Sequence, residues 1–182
     1  MNQLLLLVKI EQGVQNDDNL SQFSPSQVIE EVLIDCYPLA DKKHISLGVG
    51  TLKDIPIPTS ELEFKLIVQN LVENAIKYTP NNGQIDISFN ANNHHTILQV
   101  KDSGPGIPEH ELSKITEPFY RSAAQYQKDY HLHSEGLGLS IVQNIVSNRG
   151  GQLTLTNCYD KADSKSIVGL QVTVAWRQLD LP

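Results

Sequence analysis

Apolar residues recur at the spacing of an α-helix in four stretches of the chain, each bounded by polar or turn-forming residues. These stretches predict helices over residues 1–12, 24–38, 60–77 and 137–148. The second helix begins at Ser24-Pro25, because serine is a favoured N-cap and proline a favoured first helical residue. The third begins with Ser60 and Glu63 at capping-box spacing and ends before Thr79-Pro80, since proline disfavours helix in the residue before it.

Alternating apolar and polar residues predict five β-strands between and after these helices. The strands cover residues 45–49, 84–90, 96–102, 151–157 and 168–176. We expect Gly48 and Gly50 to end the first strand in a turn, and Asn92-Asn93 to form a hairpin between the second and third. Helices interleaved with antiparallel strand pairs predict an α+β fold: a two-layer α/β sandwich with a mixed, mostly antiparallel sheet and helices on one face.

The net charge argues against broad electrostatic binding to polyanions. With 14 basic and 21 acidic residues the formal charge is −7, so we expect no binding to nucleic acid. A site for a phosphate-bearing ligand must then be built locally from backbone N–H groups, a few cations or a metal. The two cysteines lie far apart in sequence and suit a reducing cytosol. The apolar run over residues 4–8 is too short to span a bilayer, so we expect no membrane contact by this chain.

A polar stripe lies on the third predicted helix, opposite its apolar face. The stripe consists of Asn70, Glu73, Asn74 and Lys77. It is compatible with a solvated surface. It is equally compatible with a site in which an amide oxygen coordinates Mg²⁺ and an ammonium group binds phosphate.

Two glycine-containing loops are further candidates. Residues 102–107 (DSGPGI) follow an apolar strand; a tight turn explains them, and a carboxylate at a strand end can also accept a hydrogen bond from a purine amino group. Residues 136–140 (GLGLS) open the last helix, where exposed N–H groups and the helix dipole favour phosphate, although a simple N-terminal turn has the same pattern. This second loop is neither a P-loop nor a dinucleotide-binding fingerprint.

The long connection between these loops predicts a nucleotide-sized lid over about residues 108–135, with a short helix over 109–116. Connections beyond ~12–15 residues without structure of their own are usually lids, binding loops or disordered segments. Aromatic and basic residues are frequent in it: Tyr120, Arg121, Tyr126, Lys128, Tyr130, His131 and His133. The two histidines have no fixed third ligand, so a metal site there is the less favoured interpretation.

Taken in order, four motifs resemble the ATP-binding catalytic domain of sensor histidine kinases, in the superfamily shared with type II topoisomerases, Hsp90 and MutL. The resemblance covers roughly residues 20–177 and implies the Bergerat ATP-binding fold. The motifs are residues 70–80 (NLVENAIKYTP) for the N box, 102–107 for the G1 box, 117–121 (EPFYR) for the F box and 136–142 (GLGLSIV) for the G2 box.

The resemblance implies a role for each matching residue. Asn74 would coordinate the Mg²⁺ that bridges the triphosphate of ATP, and Asn70 and Lys77 would act with it as the catalytic group. Asp102 would bind the amino group of adenine. The other implied nucleotide contacts are Tyr78, Gly104, Gly106, Ile107, Tyr120, Arg121, Gly136, Leu137, Gly138 and Leu139.

The resemblance also implies an organisation and partners. Residues 1–13 are similar to the end of a dimerisation helix, 14–22 would be a linker, 23–177 the catalytic domain and 178–182 a tail. The implied partners are the protein's own dimerisation and phosphoacceptor domain, in a homodimer at full length, and a cognate response regulator. The domain would be cytoplasmic and the full-length protein would lie in the bacterial inner membrane.

Two positions and one missing motif depart from the family pattern. Ser134 stands where the family usually has glycine, Arg149 stands where many members have histidine, and none of the six histidines begins a phosphoacceptor motif. We therefore expect a protein-histidine kinase domain whose substrate histidine lies on another domain. One alternative is an ATPase switch of the gyrase or MutL type, which predicts glutamate at position 70. The other is a nucleotide-binding module without catalysis.

Overall fold

Residues 23–120 and 136–178 are described in the computed structural model of the protein. Within these ranges the helices are α1 (Pro25–Asp41), α2 (Glu61–Tyr78) and α3 (Gly138–Asn148). The strands are β1 (Ser46–Leu52), β2 (Gln84–Ala91), β3 (His95–Asp102), β4 (Gln152–Tyr159) and β5 (Ile167–Arg177). The helix predicted over residues 1–12, the linker after it, residues 121–135 of the lid and the last four residues lie outside the described ranges.

The strands form one mixed sheet in the order β1-β2-β3-β5-β4. Strand β1 pairs with β2 in parallel, and every other neighbouring pair is antiparallel. Asp102, the last residue of β3, lies between Ile85 of β2 and Leu170 of β5. The predicted α+β sandwich is confirmed, and the sheet register fixes the strand end from which the first candidate loop emerges.

The buried core lies between the helices and one face of the sheet. Along β2 and β3, buried residues alternate with half-buried or exposed ones. The ring centroid of Phe64 on α2 lies 5.5 Å from that of Phe89 and 6.3 Å from that of Trp176, and all three side chains are fully buried. Full burial of a phenylalanine contributes about 1.5–3 kcal/mol, so this cluster anchors α2 on the sheet.

The predicted starts of α1 and α2 are confirmed. Ser24 caps α1 by accepting a hydrogen bond from the backbone N of Gln27 at 3.2 Å. At the start of α2, Ser60 Oγ accepts from the backbone N of Glu63 at 3.3 Å, and Glu63 Oε2 accepts from the backbone N of Ser60 at 3.0 Å. This capping box fixes where α2 begins. The helical spacing of its apolar residues then decides which of them face the sheet.

We predicted that α1 would end near Pro38, but the helix continues to Asp41. Pro38 lies in the last turns, where its missing N–H costs one hydrogen bond. The extra turn buries Ala40 completely, and the backbone N of Ile45 donates to the carbonyl oxygen of Ala40 at 3.0 Å. Packing of the final turn therefore outweighs the local preference of proline.

Strand β1 also continues through Gly48 and Gly50 instead of turning there. A Cβ on Gly48 would overlap the carboxylate of Asp86 on β2, and a Cβ on Gly50 would lie 3.3 Å from Cβ of Ser88. These glycines allow β1 to lie close to the polar side chains of β2.

The helix predicted over residues 109–116 is present only as a 3-10 turn at Glu109–Glu111, followed by hydrogen-bonded turns. No side chain caps the start of this turn, and short helical segments without a cap are marginal. The described part of the lid is therefore more irregular than expected.

Candidate functional site

A cavity of about 600 Å³ lies beside α2, the end of β3 and the start of α3. Small-molecule sites usually enclose about 300–1,000 Å³. The predicted site residues that line it are Asn70, Asn74, Lys77, Tyr78, Asp102, Gly106, Ile107, Tyr120, Gly136, Leu137, Gly138 and Leu139. Gly104 does not line it, and Arg121 lies outside the described residues. Motifs far apart in sequence therefore meet around one space.

The polar stripe of α2 forms one wall of this cavity, since all four of its residues line it. Asn70 is only 9% exposed. Its Nδ2 donates a hydrogen bond to the carbonyl oxygen of Leu66 at 2.8 Å, and its Oδ1 lies 3.0 Å from the place that a Cβ on Gly138 would take. The stripe is a cavity wall and not a solvated outer surface.

The first turn of α3 lies against the amide side chains of α2. A Cβ on Gly138 would lie 3.0 Å from Oδ1 of Asn70 and 3.2 Å from Nδ2 of Asn74, so glycine permits this approach. No side chain caps the start of α3 at Leu137, and the first N–H groups of a helix have no partner within it. These donors and the positive end of the helix dipole therefore lie next to the two asparagines, which favours an anionic ligand there.

Asp102 supplies a carboxylate that is only 7% exposed. Its Oδ1 accepts hydrogen bonds from the backbone N of Gly104 at 2.7 Å and of Leu170 at 3.4 Å. Burial raises the pKa of Asp102 above 3.8, and the two backbone hydrogen bonds oppose that rise. Within the described part of the chain Oδ2 receives no hydrogen bond, so it can accept one from the amino group of a ligand.

Two glycines shape the loop after Asp102. A Cβ on Gly104 would lie 2.7 Å from Asp102 Oδ1 and 3.1 Å from the carbonyl oxygen of Tyr78. Gly104 therefore permits the hydrogen bond that orients the carboxylate, although it is not itself part of the cavity wall. Gly106 has φ of +68°, a conformation that glycine adopts without strain.

The last turn of α2 brings a cation and an aromatic ring to the same wall. Lys77 Nζ lies 4.9 Å from the ring centroid of Tyr78, which is a cation–π distance. Lys43 Nζ donates hydrogen bonds to the carbonyl oxygens of Ile76 at 2.7 Å and Lys77 at 2.9 Å. These bonds satisfy carbonyl groups at the end of α2 and so stabilise that turn.

Two residues that support the site were not identified from the sequence. Lys43 lines the cavity and holds the end of α2. Asn157 on β4 holds the loop after Asp102 through hydrogen bonds to Ile107. Each acts on an element distant in the chain, so no local motif signals its role.

The described ends of the predicted lid meet beside the cavity. The backbone N of Phe119 donates to the carbonyl oxygen of Gly136 at 3.1 Å. Both residues have positive φ, 65° and 70° respectively, and Tyr120 next to them lines the cavity. Ser134 and the paired histidines of the lid lie outside the described residues.

Over residues 23–120 and 136–178, no group of three histidine, cysteine, aspartate or glutamate side chains is placed to hold a metal ion. The same residues contain no helix long and apolar enough to cross a membrane. Mg²⁺ in nucleotide sites usually has few protein ligands and takes its other oxygens from water and phosphates. The amide oxygens of Asn70 and Asn74 fit that kind of site.

Comparisons with known proteins match the stretch of chain that contains these motifs. Residues 59–179 match the family model described as histidine kinase-, DNA gyrase B-, and HSP90-like ATPase. The sensor protein kinase PmrB of Pseudomonas aeruginosa is 35% identical over 158 residues, which are 85% of this chain and 31% of PmrB. The chain thus spans about a third of the length of this curated relative.

Solved structures of histidine kinases share the fold. The catalytic domain of histidine kinase ThkA, in a nucleotide-free form, matches with a TM-score of 0.71 at 27% identity, covering 86% of this chain and 93% of that one. ThkA in complex with the response regulator protein TrrA matches with a TM-score of 0.68 at 24% identity, covering 98% of this chain and 49% of that one. The described sandwich therefore has counterparts over most of its length.

Proposed function

This chain belongs to the family of histidine kinase-, DNA gyrase B-, and HSP90-like ATPases, and from that premise we propose that it is the ATP-binding catalytic domain of a bacterial two-component sensor histidine kinase. Among the members of this family, the similarity to PmrB and to ThkA supports a kinase. In this proposal the domain transfers the γ-phosphoryl group of ATP to a histidine on a dimerisation domain. The phosphoryl group then passes from this histidine to an aspartate of a response regulator.

One observation carries the proposal: a buried carboxylate and an uncapped helix start line the same cavity. Asp102 lies at the end near Tyr78, and the first turn of α3 lies at the end near Asn70. Asn70 and Tyr78 are eight residues apart on α2, which is about 12 Å at the helical rise. This separation suits a ligand with a hydrogen-bonding base at one end and phosphates at the other.

The residues at the phosphate end fit a magnesium nucleotide. When bound, Mg-ATP would supply the transferable phosphoryl group, and its cation would neutralise part of the phosphate charge. Asn74 is the proposed protein ligand of Mg²⁺, with Asn70 and Lys77 supporting metal and phosphate. The backbone N–H groups over residues 136–139 would bind phosphate oxygens, and Gly138 leaves room for them.

The proposed catalysis rests on positioning and charge neutralisation more than on proton transfer. The acceptor imidazole is itself a nucleophile, so this chain needs no strong base. Position 70 carries the amide of Asn70, whose Nδ2 donates a hydrogen bond to the carbonyl oxygen of Leu66. Without a carboxylate there to activate water, transfer is favoured over hydrolysis.

The proposed partners follow from the kinase assignment. They are the protein's own dimerisation and phosphoacceptor domain, in a homodimer, and a response regulator; ThkA, which shares the fold, has been solved with such a regulator. In this proposal residues 1–13 continue the dimerisation helices, 14–22 link them to the catalytic domain over 23–177, and the domain lies on the cytoplasmic side of the inner membrane.

A phosphotransfer assay with radiolabelled Mg-ATP tests the proposal. The purified chain should not label itself, and it should label a separately supplied dimerisation domain of PmrB. The reaction should be slow and should rise with partner concentration, because cutting the covalent link removes its effective concentration.

The control for this assay is the same partner with its acceptor histidine changed to glutamine, which should remain unlabelled. Acid-labile label on the chain alone would refute the expected absence of an acceptor. If Mg-ATP binds but no partner is labelled at any concentration, a non-catalytic nucleotide-binding module is favoured instead.

A further inference from the structure

A side-chain amide on β4 holds the loop that follows Asp102. Asn157 is 5% exposed. Its Oδ1 accepts a hydrogen bond from the backbone N of Ile107 at 2.9 Å, and its Nδ2 donates to the carbonyl oxygen of Ile107 at 2.7 Å. One side chain thus binds both backbone groups of a single loop residue, as a neighbouring strand would. These two hydrogen bonds are called the Asn157 clamp below.

Two further side chains fix the orientation of this amide. Nδ2 of Asn157 also donates to Oε1 of Glu109 at 3.1 Å, and the hydroxyl of Tyr159 donates to the same oxygen at 2.6 Å. The hydrogen bonds from Tyr159 and then Asn157 hold the pKa of Glu109 below 4.5, so the acceptor is ionised at neutral pH. Both N–H donors of the Asn157 amide are therefore used, and a flipped amide would lose them.

The clamped residue is part of the cavity wall. Ile107 is 4% exposed and lines the cavity together with Gly106. A Cβ on Gly106 would lie 2.6 Å from Oδ1 of Asn157, so the loop backbone rests directly on the amide. The loop is therefore fixed at both ends, by the sheet at Asp102 and by the Asn157 clamp at Ile107.

We propose that Asn157 is a positioning residue for the base-binding end of the cavity, and that it supports selection of adenine over guanine. It does so by fixing the loop that orients Asp102 and forms the adjoining wall. Asn157 does not line the cavity, so it acts through Ile107 and not through contact with the ligand. The inference rests on the proposed function, because it requires a nucleotide in this cavity.

Calorimetric titration with Mg-ADP and Mg-GDP tests the role of the clamp in two variants. Asn157→Leu removes both hydrogen bonds to Ile107. Asn157→Asp keeps an acceptor for the backbone N of Ile107 but places a second oxygen against the carbonyl of Ile107 and the carboxylate of Glu109. In both variants we expect Mg-ADP to bind about tenfold more weakly, and the ratio of ADP to GDP affinity to fall.

Asn92→Leu is the matched control for loss of stability. Oδ1 of Asn92 accepts hydrogen bonds from the backbone N of His94 at 2.9 Å and of His95 at 2.8 Å, and Asn92 does not line the cavity. This variant should lower the melting temperature and leave the ADP to GDP ratio unchanged. Tyr159→Phe, which spares the clamp, should change Mg-ADP affinity by less than about threefold.

The outcomes separate this inference from the proposed function. A wild-type chain that binds neither nucleotide overturns the proposed function. A wild-type chain that prefers Mg-ADP, with Asn157 variants that keep the same preference, overturns this inference alone.

If the Asn157 variants do not fold, amide hydrogen exchange on the wild-type protein tests the inference instead. The amide of Ile107 should be protected by the clamp and should exchange more slowly with Mg-ADP than with Mg-GDP. Equal exchange with the two nucleotides, or exchange at the rate of an unprotected loop amide, overturns the inference.

Discussion

The carboxylate of Asp102 uses one oxygen to hold its own loop and leaves the other for a ligand. In Asp102→Asn the remaining oxygen can still accept from the backbone N of Gly104, whereas an NH₂ group replaces the second oxygen. This group donates, so it opposes the amino group of adenine and can pair with the carbonyl of guanine. We expect Mg-ADP to bind at least ~tenfold more weakly, about 1.4 kcal/mol, with less preference for adenine in calorimetric titrations.

Asp86→Asn is the matched control for that substitution. Asp86 accepts two hydrogen bonds from Gln84 Nε2, at 2.9 and 3.0 Å, and it does not line the 600 Å³ cavity. The Asp86→Asn substitution should leave the affinity for Mg-ADP and the preference for adenine unchanged. Undiminished Mg-ADP affinity in a folded Asp102→Asn protein would contradict the placement of the base at Asp102.

An ion pair joins the start of α2 to the end of α3. Arg149 Nε donates to Glu63 Oε2 at 3.0 Å, and Arg149 Nη2 donates to Glu63 Oε1 at 3.0 Å. Burial favours a higher pKa for Glu63, but hydrogen bonds from Arg149, Ser60 and Thr59 and the charge of Arg149 bring its pKa below 4.5. Because the folded-state pKa is the lower one, the stabilisation is present above about pH 4.5 and is lost as the pH falls through the folded-state pKa.

Removal of this ion pair should reduce stability in a pH-dependent way. Arg149→Leu should lower the free energy of unfolding by about 1 kcal/mol at neutral pH, since the pair is bidentate but partly solvated. Urea unfolding at pH 7 and pH 3 measures the difference from wild type, which should shrink at pH 3.

The control for the ion pair is Lys65→Leu. Lys65 and Glu31 form a 3.3 Å ion pair with side chains 37% and 47% exposed, so its loss should cost less than ~0.5 kcal/mol. An Arg149→Leu effect of the same size at both pH values would show that Glu63 titration does not contribute.

The contact between α3 and the amides of α2 can be tested with one methyl group. In Gly138→Ala the added Cβ would lie 3.0 Å from Asn70 Oδ1 and 3.2 Å from Asn74 Nδ2, so both amides must shift. Alanine is tolerated in a helix, and we expect stability to change by less than ~1 kcal/mol. Mg-ADP affinity should fall about tenfold if one charge-assisted contact is lost.

Gly50→Ala provides the comparison for Gly138→Ala. Its Cβ would lie 3.3 Å from Cβ of Ser88, on a part of the sheet that does not line the 600 Å³ cavity. This variant should bind Mg-ADP as wild type does. Equal affinities in the two variants would argue against phosphate binding at the start of α3.

Nucleotide binding should stabilise the whole domain, because residues of α1, α2, β3, α3 and β5 line the cavity. At a free Mg-ADP concentration 100 times its Kd, linkage predicts about 2.7 kcal/mol of added stability. Thermal melts at increasing Mg-ADP should therefore show a rising Tm in the wild-type chain. At the same Mg-ADP concentrations Asp102→Asn should show a smaller rise, and a constant wild-type Tm would contradict binding.

Much of the fold, and many of the residues that line the cavity, could be predicted from local patterns. The caps at Ser24 and Ser60 were predicted because a cap involves residues only three positions apart. The polar stripe on α2 was predicted from helical periodicity, although its two interpretations could be separated only by seeing the cavity beside it. The predicted end of α1 at Pro38 was wrong, because burial of Ala40 in the core outweighs the tendency of proline to end a helix.

The sequence by itself determined the order of α1 to α3 and β1 to β5 and the family of the domain, because these depend on periodicity, caps and motifs within short segments. Only the tertiary structure decided which distant groups meet: Gly138 against Asn70, Lys43 on the end of α2, and Asn157 on Ile107. Those contacts depend on how helices and strands from separate parts of the chain pack around one core. A pattern of neighbouring residues does not predict that packing, so the supporting residues of the site can be identified only from the folded structure.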